Sequence, residues 1–279
     1  MTSSAPHTEQ CQPVPGGVYL CQVSSSVSCV ACCGLYNVSD ASVSNLEVLL
    51  NHRTTEFTQV NRTADGIYQF QETIVSLENQ KRPFRDFHHC AFIGLIGRNR
   101  NRVGCLLHPD ADGNDGVDYR GLSWYGGMAC RSYFCPTHRQ LPARFKIAAR
   151  EAAPNWHLYG LMITEVNMLA RFLTAVENRL NRPLQTGDVL KYPDWKTALQ
   201  EFFRLKTDWS FRSSESHGPA NYFFEDGQHA TPAVKYPERC VGRSPYDKIF
   251  RALHSSFGSQ EALREAEACI DALLLPFSF

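Results

Sequence analysis

The stretch NWHLYGLMITEVNMLARFLTAVENRL, residues 155–180, sets the character of the second half of the chain. Tyr159, Met162, Ile163, Val166, Leu169, Phe172, Leu173, Val176 and Leu180 recur at steps of three and four, with Glu165, Arg171 and Arg179 off that stripe. This spacing predicts an amphipathic helix packed on a core, and Pro183 lies just past its end. Working outward, a second helix is expected from Pro193, a suitable first helical residue, burying Trp195, Leu199, Phe202 and Phe203. A third is expected from Ser244-Pro245, with Asp247 in its first turn and Ile249, Phe250 and Leu253 inside. The last runs from Ser259 through Leu263, Ala266, Ile270 and Leu273 to Pro276. Residues 143–279 therefore read as a helical region.

Residues 1–142 have a different texture. Gly, Asn, Asp and Ser are dense over 94–127, and Pro109-Asp-Ala-Asp-Gly-Asn-Asp-Gly116 is turn material. Residues 42–51, with Val43, Leu46, Leu49 and Leu50 on one face, predict a helix. Short strands are expected at 66–75, from Ile67, Tyr68, Phe70 and Ile74, and at 91–96. The predicted class is α+β: an irregular cysteine-rich metal-binding half with short strands, packed against a mostly helical half. No flexible linker separates the two near 140–150, so one shared core is expected. The unperiodic stretch 207–243 reads as a functional loop or a cover.

Composition narrows the function classes. The 279 residues carry 28 Lys plus Arg and 28 Asp plus Glu, so no global charge favours nucleic acid or an anionic membrane. No run approaches the ~18 apolar residues of a membrane span. The first ten residues lack the basic and apolar regions of a secretory signal, so a cytoplasmic protein is expected. In a reducing compartment, clustered thiols serve as metal ligands or redox groups more often than as staples.

Eleven cysteines stand at 11, 21, 29, 32, 33, 90, 105, 130, 135, 240 and 269, nine of them before residue 136. Cys29-Val-Ala-Cys32-Cys33 offers a C-x-x-C pair that can reach one metal from a tight turn. Adjacent Cys32 and Cys33 point different ways, so Cys33 is expected at another corner of a cluster or at a second site. Cys90 follows His88-His89, and Cys105-Leu-Leu-His108 lies next. Cys130-Arg-Ser-Tyr-Phe-Cys135-Pro136 closes the series as C-x4-C, with His138 beyond. The candidate ligands are Cys29, Cys32, Cys33, Cys90, Cys105, Cys130 and Cys135, enough for one four-thiolate site or for two centres. Cys11 and Cys269 read as bystanders. His88 and His89 read as a partly exposed pair, and Arg98-Asn-Arg-Asn-Arg102 as a solvated hairpin tip. His217, His229 and Cys240 could fold over the metal region, whereas Glu225-Asp-Gly-Gln-His229 lacks the spacing of a zinc-protease helix.

In this order and context the cysteines resemble those of the YkgJ-type C-x-x-C-x-x-C-C proteins, described as zinc- or iron-chelating domains. The flagellin lysine N-methylases carry a related cluster. The resemblance covers roughly residues 20–136. It matches Cys29, Cys32 and Cys33 to the end of the opening motif and Cys90, Cys105, Cys130 and Cys135 to the later cysteines. Ser26 stands where the family has its first cysteine, with Cys21 a little upstream as a replacement. The resemblance implies an iron–sulfur cluster or Zn2+, and single ligands at Cys90 and Cys105 tilt the choice toward the cluster. The expected function is a metal-binding protein with a redox, sensing or docking role, the last toward an unidentified protein partner. The alternative is a protein-modifying enzyme using S-adenosylmethionine, as the methylase likeness implies. A third reading is a structural zinc module presenting its helices to a partner.

Overall fold

The computed structural model describes residues 13–78, 82–97, 99–222, 230–238 and 242–278. Cys11, Arg98, His229, Cys240 and the 225–229 segment lie outside the described residues. The fold is α+β, with about 49% helix and a two-stranded antiparallel sheet.

The 155–180 periodicity resolves into two helices instead of one. In chain order the first half contributes α1 (Val43–Thr58), α2 (Ala64–Leu77), α3 (Gly126–Ser132) and α4 (Pro136–Gln140). After them come α5 (Ala143–Ala152), α6 (Trp156–Ile163) and α7 (Val166–Leu180). The break between α6 and α7 falls at Glu165, whose backbone is non-helical. The reason is electrostatic: Glu165 turns inward to the buried ammonium of Lys206 at 2.5 Å and accepts from Asn221 Nδ2 at 2.6 Å. A buried charge needs such partners, and turning out of the helix is how Glu165 reaches them. The apolar stripe still runs through, because both helices face one core. Asn181, in the left-handed conformation, ends α7 two residues before Pro183.

The remaining helices are α8 (Asp188–Lys191), α9 (Pro193–Asp208), α10 (Asp247–Ala252) and α11 (Gln260–Leu274). Phe202 of α9 stacks on Phe172 of α7 at 3.8 Å between ring centres. Helix α10 begins two residues later than a helix opened by Ser244-Pro245 would. Ser244 Oγ accepts from the Tyr246 amide at 3.1 Å and shapes a turn ahead of the helix. Helix α11 starts at Ser259 as expected, and Ser259 caps it by accepting from the Ala262 amide at 3.1 Å.

The first half is more helical than its composition suggests. The expected strand at 66–75 is helix α2: Ile67, Phe70 and Ile74 are buried on one face, while Tyr68 and Val75 are exposed. Those three positions repeat at three and four, and Thr63 caps the helix by accepting from the Gly66 amide. The strand at 91–96 forms as β1 (Ile93–Ile96), antiparallel to β2 (Arg102–Cys105), in the register Ile93↔Cys105 and Ile96↔Arg102. Arg100 lies in the hairpin turn and Arg102 opens β2.

Among the described residues, three apolar clusters hold the chain. The largest is built by α5 to α11 together with Leu20 and Leu141. A second gathers Val30, Leu35, Tyr36, Leu46, Leu50 and Ile93 with Leu161 of α6. A third joins α1, α2 and the hairpin through Phe57, Phe70 and Phe92. Helix α6 is buried nearly all round and serves two clusters at once. Among the described residues, no helix is long and apolar enough to cross a membrane.

Two outcomes follow from these contacts. A Cβ on Gly160 would lie 2.1 Å from Tyr36 Oη, which donates to the His157 carbonyl at 3.0 Å. Gly160→Ala is expected to lower stability by about 2 kcal/mol through overpacking, despite alanine's better helix propensity; urea unfolding midpoints check it. His254 is buried against Ser216 Oγ and Asn221 Oδ1, each at 2.6 Å, and burial plus the nearby Lys206 and Arg212 push it down to about 3. Its folded value lies below the ordinary one, so the unfolded chain takes the proton first as pH falls. Stability is present above pH ~6.5 and is lost progressively toward pH 3. Between pH 7 and 5.5 the wild type should lose about 1 kcal/mol more than His254→Gln, measured by urea unfolding at both pH values.

Candidate metal centre

The segment Cys29-Val-Ala-Cys32-Cys33 folds as a single tight turn, with the Cys33 amide donating to the Val30 carbonyl at 3.0 Å. Gly34 follows in the left-handed conformation, and a Cβ there would stand 1.8 Å from the His88 carbonyl oxygen. Only glycine allows that approach. It brings residues 88–90 alongside the turn, and the Cys90 amide donates to the Cys33 carbonyl at 2.9 Å. From Cys90 the chain enters β1, whose partner strand ends at Cys105 opposite Ile93. Two cysteines 15 residues apart in sequence are thus carried to the same end of one hairpin.

A second loop precedes the turn. Residues 21–29 double back on themselves, with the Cys29 amide donating to the Cys21 carbonyl at 2.8 Å and a bridge between Gln22 and Ser28. Ser26 sits exposed at the tip, its amide on Ser24 Oγ at 3.2 Å. Cys21, not position 26, therefore stands beside Cys29.

The C-x4-C pair spans two short helices. Cys130, exposed on α3, lies 3.0 Å from Ser123 Oγ. Cys135 precedes Pro136 at the start of α4, and its Sγ lies 3.5 Å from His138 Nδ1. The opposite ring nitrogen, Nε2, accepts from the Leu20 amide at 3.2 Å, so Nδ1 carries the proton and points it at the thiol. His138 thereby links Cys135 to the residue next to Cys21.

The helical half anchors this region. Buried Lys146 donates to the carbonyls of Gly16 at 2.7 Å and His138 at 2.8 Å. Arg150, one turn along α5, donates to the carbonyls of Tyr19 and Gln22, and the Tyr159 hydroxyl to that of Leu20 at 2.8 Å. Sequence reasoning assigned no role to Lys146 or Arg150. The available signal was a pair of cations four residues apart on the helix that buries Phe145 and Ala149.

Burial sets the electrostatics of the thiols. It pushes Cys21 and Cys105 up to about 12 and Cys90 up to about 11, and raises Cys29 and Cys135 as well, whereas Cys33 is raised first by its hydrogen bond to Cys32 and then by burial. Neighbouring thiols add to the rise: Cys32 and Cys135 at Cys21, and Cys90 and Cys130 at Cys105. Cys32 moves the other way, held down by a hydrogen bond from Cys33. Arg53 beside Cys90 and Arg120 near Cys105 favour their thiolates.

The histidines divide differently from expectation. His89 is buried, not part-exposed: Nδ1 lies 2.7 Å from the Gly34 carbonyl oxygen and Nε2 lies 2.6 Å from Arg53 Nη2. Burial and Arg53 hold it down at about 3. His88 packs between Trp124 and Tyr125, and His108 caps the local turn by accepting from the Asp110 amide at 3.1 Å. His217 lies against Phe84, in the wall of a separate cavity of about 270 Å³. The exposed Cys269 on α11 stays a bystander. All nine described cysteines are free thiols. Among the described residues, no group of three or more His, Cys, Asp and Glu side chains is arranged to hold a metal ion. The donors are gathered by their backbones, and their side chains are not closed into a cage.

Replacing His138 by Phe removes the acceptor of the buried Leu20 amide, at a cost of roughly 1–3 kcal/mol. His138→Phe should lower the urea midpoint accordingly and speed hydrogen exchange at the Leu20 amide, while exchange in α11 changes only with global stability. No family model, curated protein or solved structure matches the chain.

Proposed function

We propose that the chain is a metal-binding protein that holds iron–sulfur or zinc through its clustered cysteines and serves a redox, sensing or docking role. One observation carries this reading. Backbone hydrogen bonds set Cys21 beside Cys29 and Cys90 beside Cys33, the hairpin register carries Cys105 to the end that Cys90 enters, and His138 ties Cys135 to the residue next to Cys21. Ordinary buried cysteines pack singly as small apolar groups. These affect one another's ionisation, which close spacing requires.

The donor chemistry suits a soft, thiophilic metal. Thiols raised by burial are costly to ionise alone, but a bound cation reverses that cost, because a coordinating thiol is deprotonated outright. The side chains would have to close inward on the metal, so uptake would contribute folding energy to this half. The vicinal Cys32-Cys33 and the separately delivered Cys90 and Cys105 favour an iron–sulfur cluster over a lone zinc ion. His138 would orient Cys135 through Nδ1–H, as groups beside a metal ligand commonly do. The methylase-like alternative has less support: the cavity beneath residues 213–222 and 230–235, at about 270 Å³, is at the lower limit for a small-molecule site.

Full-length protein purified without oxygen should be brown, bleach on reduction, and contain iron with acid-labile sulfide. Colourless protein with tightly held zinc would keep metal binding and reject the cluster. A well-folded chain holding neither element would overturn the reading.

A further inference from the structure

We infer that Ser216, His254 and Asn221, at the cavity of about 270 Å³, form a serine acyl-transfer site that hydrolyses small acyl esters. It stands independently of the metal-binding reading above.

Hydrogen bonding fixes the protons along this string. Asn221 Nδ2 donates to Glu165 Oε1 at 2.6 Å and to the Ala252 carbonyl at 3.2 Å, so its Oδ1 faces His254 Nε2, at 2.6 Å. Nε2 must carry the ring proton, since Oδ1 can only accept. Nδ1 is left as an acceptor, and the Ser216 hydroxyl donates to it at 2.6 Å. The Gly218 carbonyl, at 3.1 Å, is the more distant acceptor for that single proton. A hydroxyl bonded to a base, with the base held by a third group, is the arrangement that activates a serine. Asn221 is the positioning residue, itself held by Glu165, which Lys206 of α9 pairs at 2.5 Å.

The place His254 occupies points the same way. It follows the end of α10 with φ +55°, and the next amide, of Ser255, closes back onto the Phe250 carbonyl at 2.9 Å. Glycine ordinarily fills that left-handed position, where a Cβ is strained. A side chain present against the backbone's preference is one whose ring has a use, and such strain gathers at functional sites. Burial and the facing cations Lys206 and Arg212 hold the ring neutral, the form that accepts a proton. The same surroundings make it a weak base, so slow turnover is expected.

The cavity wall supplies the remaining parts. Tyr222 lines it beside Phe84, and the buried Tyr222 hydroxyl has no hydrogen-bond partner. Burial keeps that hydroxyl protonated, so it is a donor without an acceptor. The oxygen of an acyl carbonyl, negative in the transition state, is an acceptor that would use it. Pro83, Phe84, Pro232 and Ala233 offer an apolar face to a short acyl chain.

In the first step Ser216 Oγ bonds to the ester carbonyl carbon while its proton passes to His254 Nδ1. The bond from that carbon to the alcohol oxygen then breaks, and the alcohol leaves with the proton. Water next attacks the acyl-serine and gives a proton to Nδ1. The carboxylic acid is released as Ser216 Oγ takes that proton back.

The test treats the full chain with a fluorophosphonate probe and, separately, with p-nitrophenyl acetate. Peptide mass spectrometry should find the probe on Ser216, and sustained p-nitrophenol release should be lost in Ser216→Ala. His254→Gly should slow labelling of Ser216 about 100-fold. Added imidazole should restore part of it, since glycine suits the backbone there and leaves room for the ring. Tyr222→Phe should lower kcat about 100-fold with KM little changed. Nitrogen NMR should show His254 as the Nε2–H tautomer alone, and as a mixture in Asn221→Leu. A wild-type chain unlabelled at Ser216, with ester turnover equal to that of Ser216→Ala, would overturn the proposal. Labelling that His254→Gly leaves unchanged would reject His254 as the base. If a variant does not fold, labelling of the wild type still decides.

Discussion

A segment laid across a helical surface is held where side chains of that surface reach its backbone carbonyls. The stretch from Gly16 to Gln22 finds its partners in the helical half: Lys146 and Arg150 from α5 and the Tyr159 hydroxyl from α6. Cationic donors suit this role, since a hydrogen bond from a charged group is stronger than a neutral one and one side chain can serve several acceptors. The position of Cys21 depends on these bonds, and so does that of Leu20, whose amide meets His138. The helices therefore act as the clamp that sets the cysteine loops. Helix α6 serves both sides, with Gly160 leaving room for Tyr36 and Leu161 packing beneath the first turn.

Close approach of backbones does the rest of the gathering. Gly34 lets the strand entering β1 press against the cysteine turn, and the amide of Cys90 closes onto Cys33. The thiols so assembled are half-buried and for the most part hard to ionise. Such a group is poised to gain from a cation and gains little from its own packing. Arg53 illustrates the same economy of placement: it is buried, paired with Glu78, bonded to the Cys90 carbonyl at 3.0 Å and set against His89. One guanidinium thereby fixes α1, the hairpin entry and the histidine that lines the turn.

Much of the helical half was legible in periodicity. The starts of α1 and α11 and the apolar stripes of α7 and α9 fall where spacing puts them. The errors have physical causes. Residues 66–75 combine β-favouring Ile, Tyr and Phe with a three-and-four spacing, and the spacing won because one face had a core to meet. The break at Glu165 was hidden because the stripe continues across it, and its cause is a lysine 41 residues away. His89 looked exposed beside its twin because sequence does not record that Arg53 and the Gly34 carbonyl would enclose it.

By itself the sequence determined which residues could serve as soft ligands and that they belong to one half of the chain, since residue type and local spacing are properties of the chain alone. It also determined the amphipathic faces of the helices. Only the tertiary structure decided that Cys21 stands beside Cys29 while Ser26 points to solvent, and that the Cys90 amide meets the Cys33 carbonyl. It also decided that Lys146 and Arg150 serve the ligand loops. The clamp rests on side-chain bonds to backbone carbonyls more than a hundred residues away, and no local pattern encodes a contact at that separation.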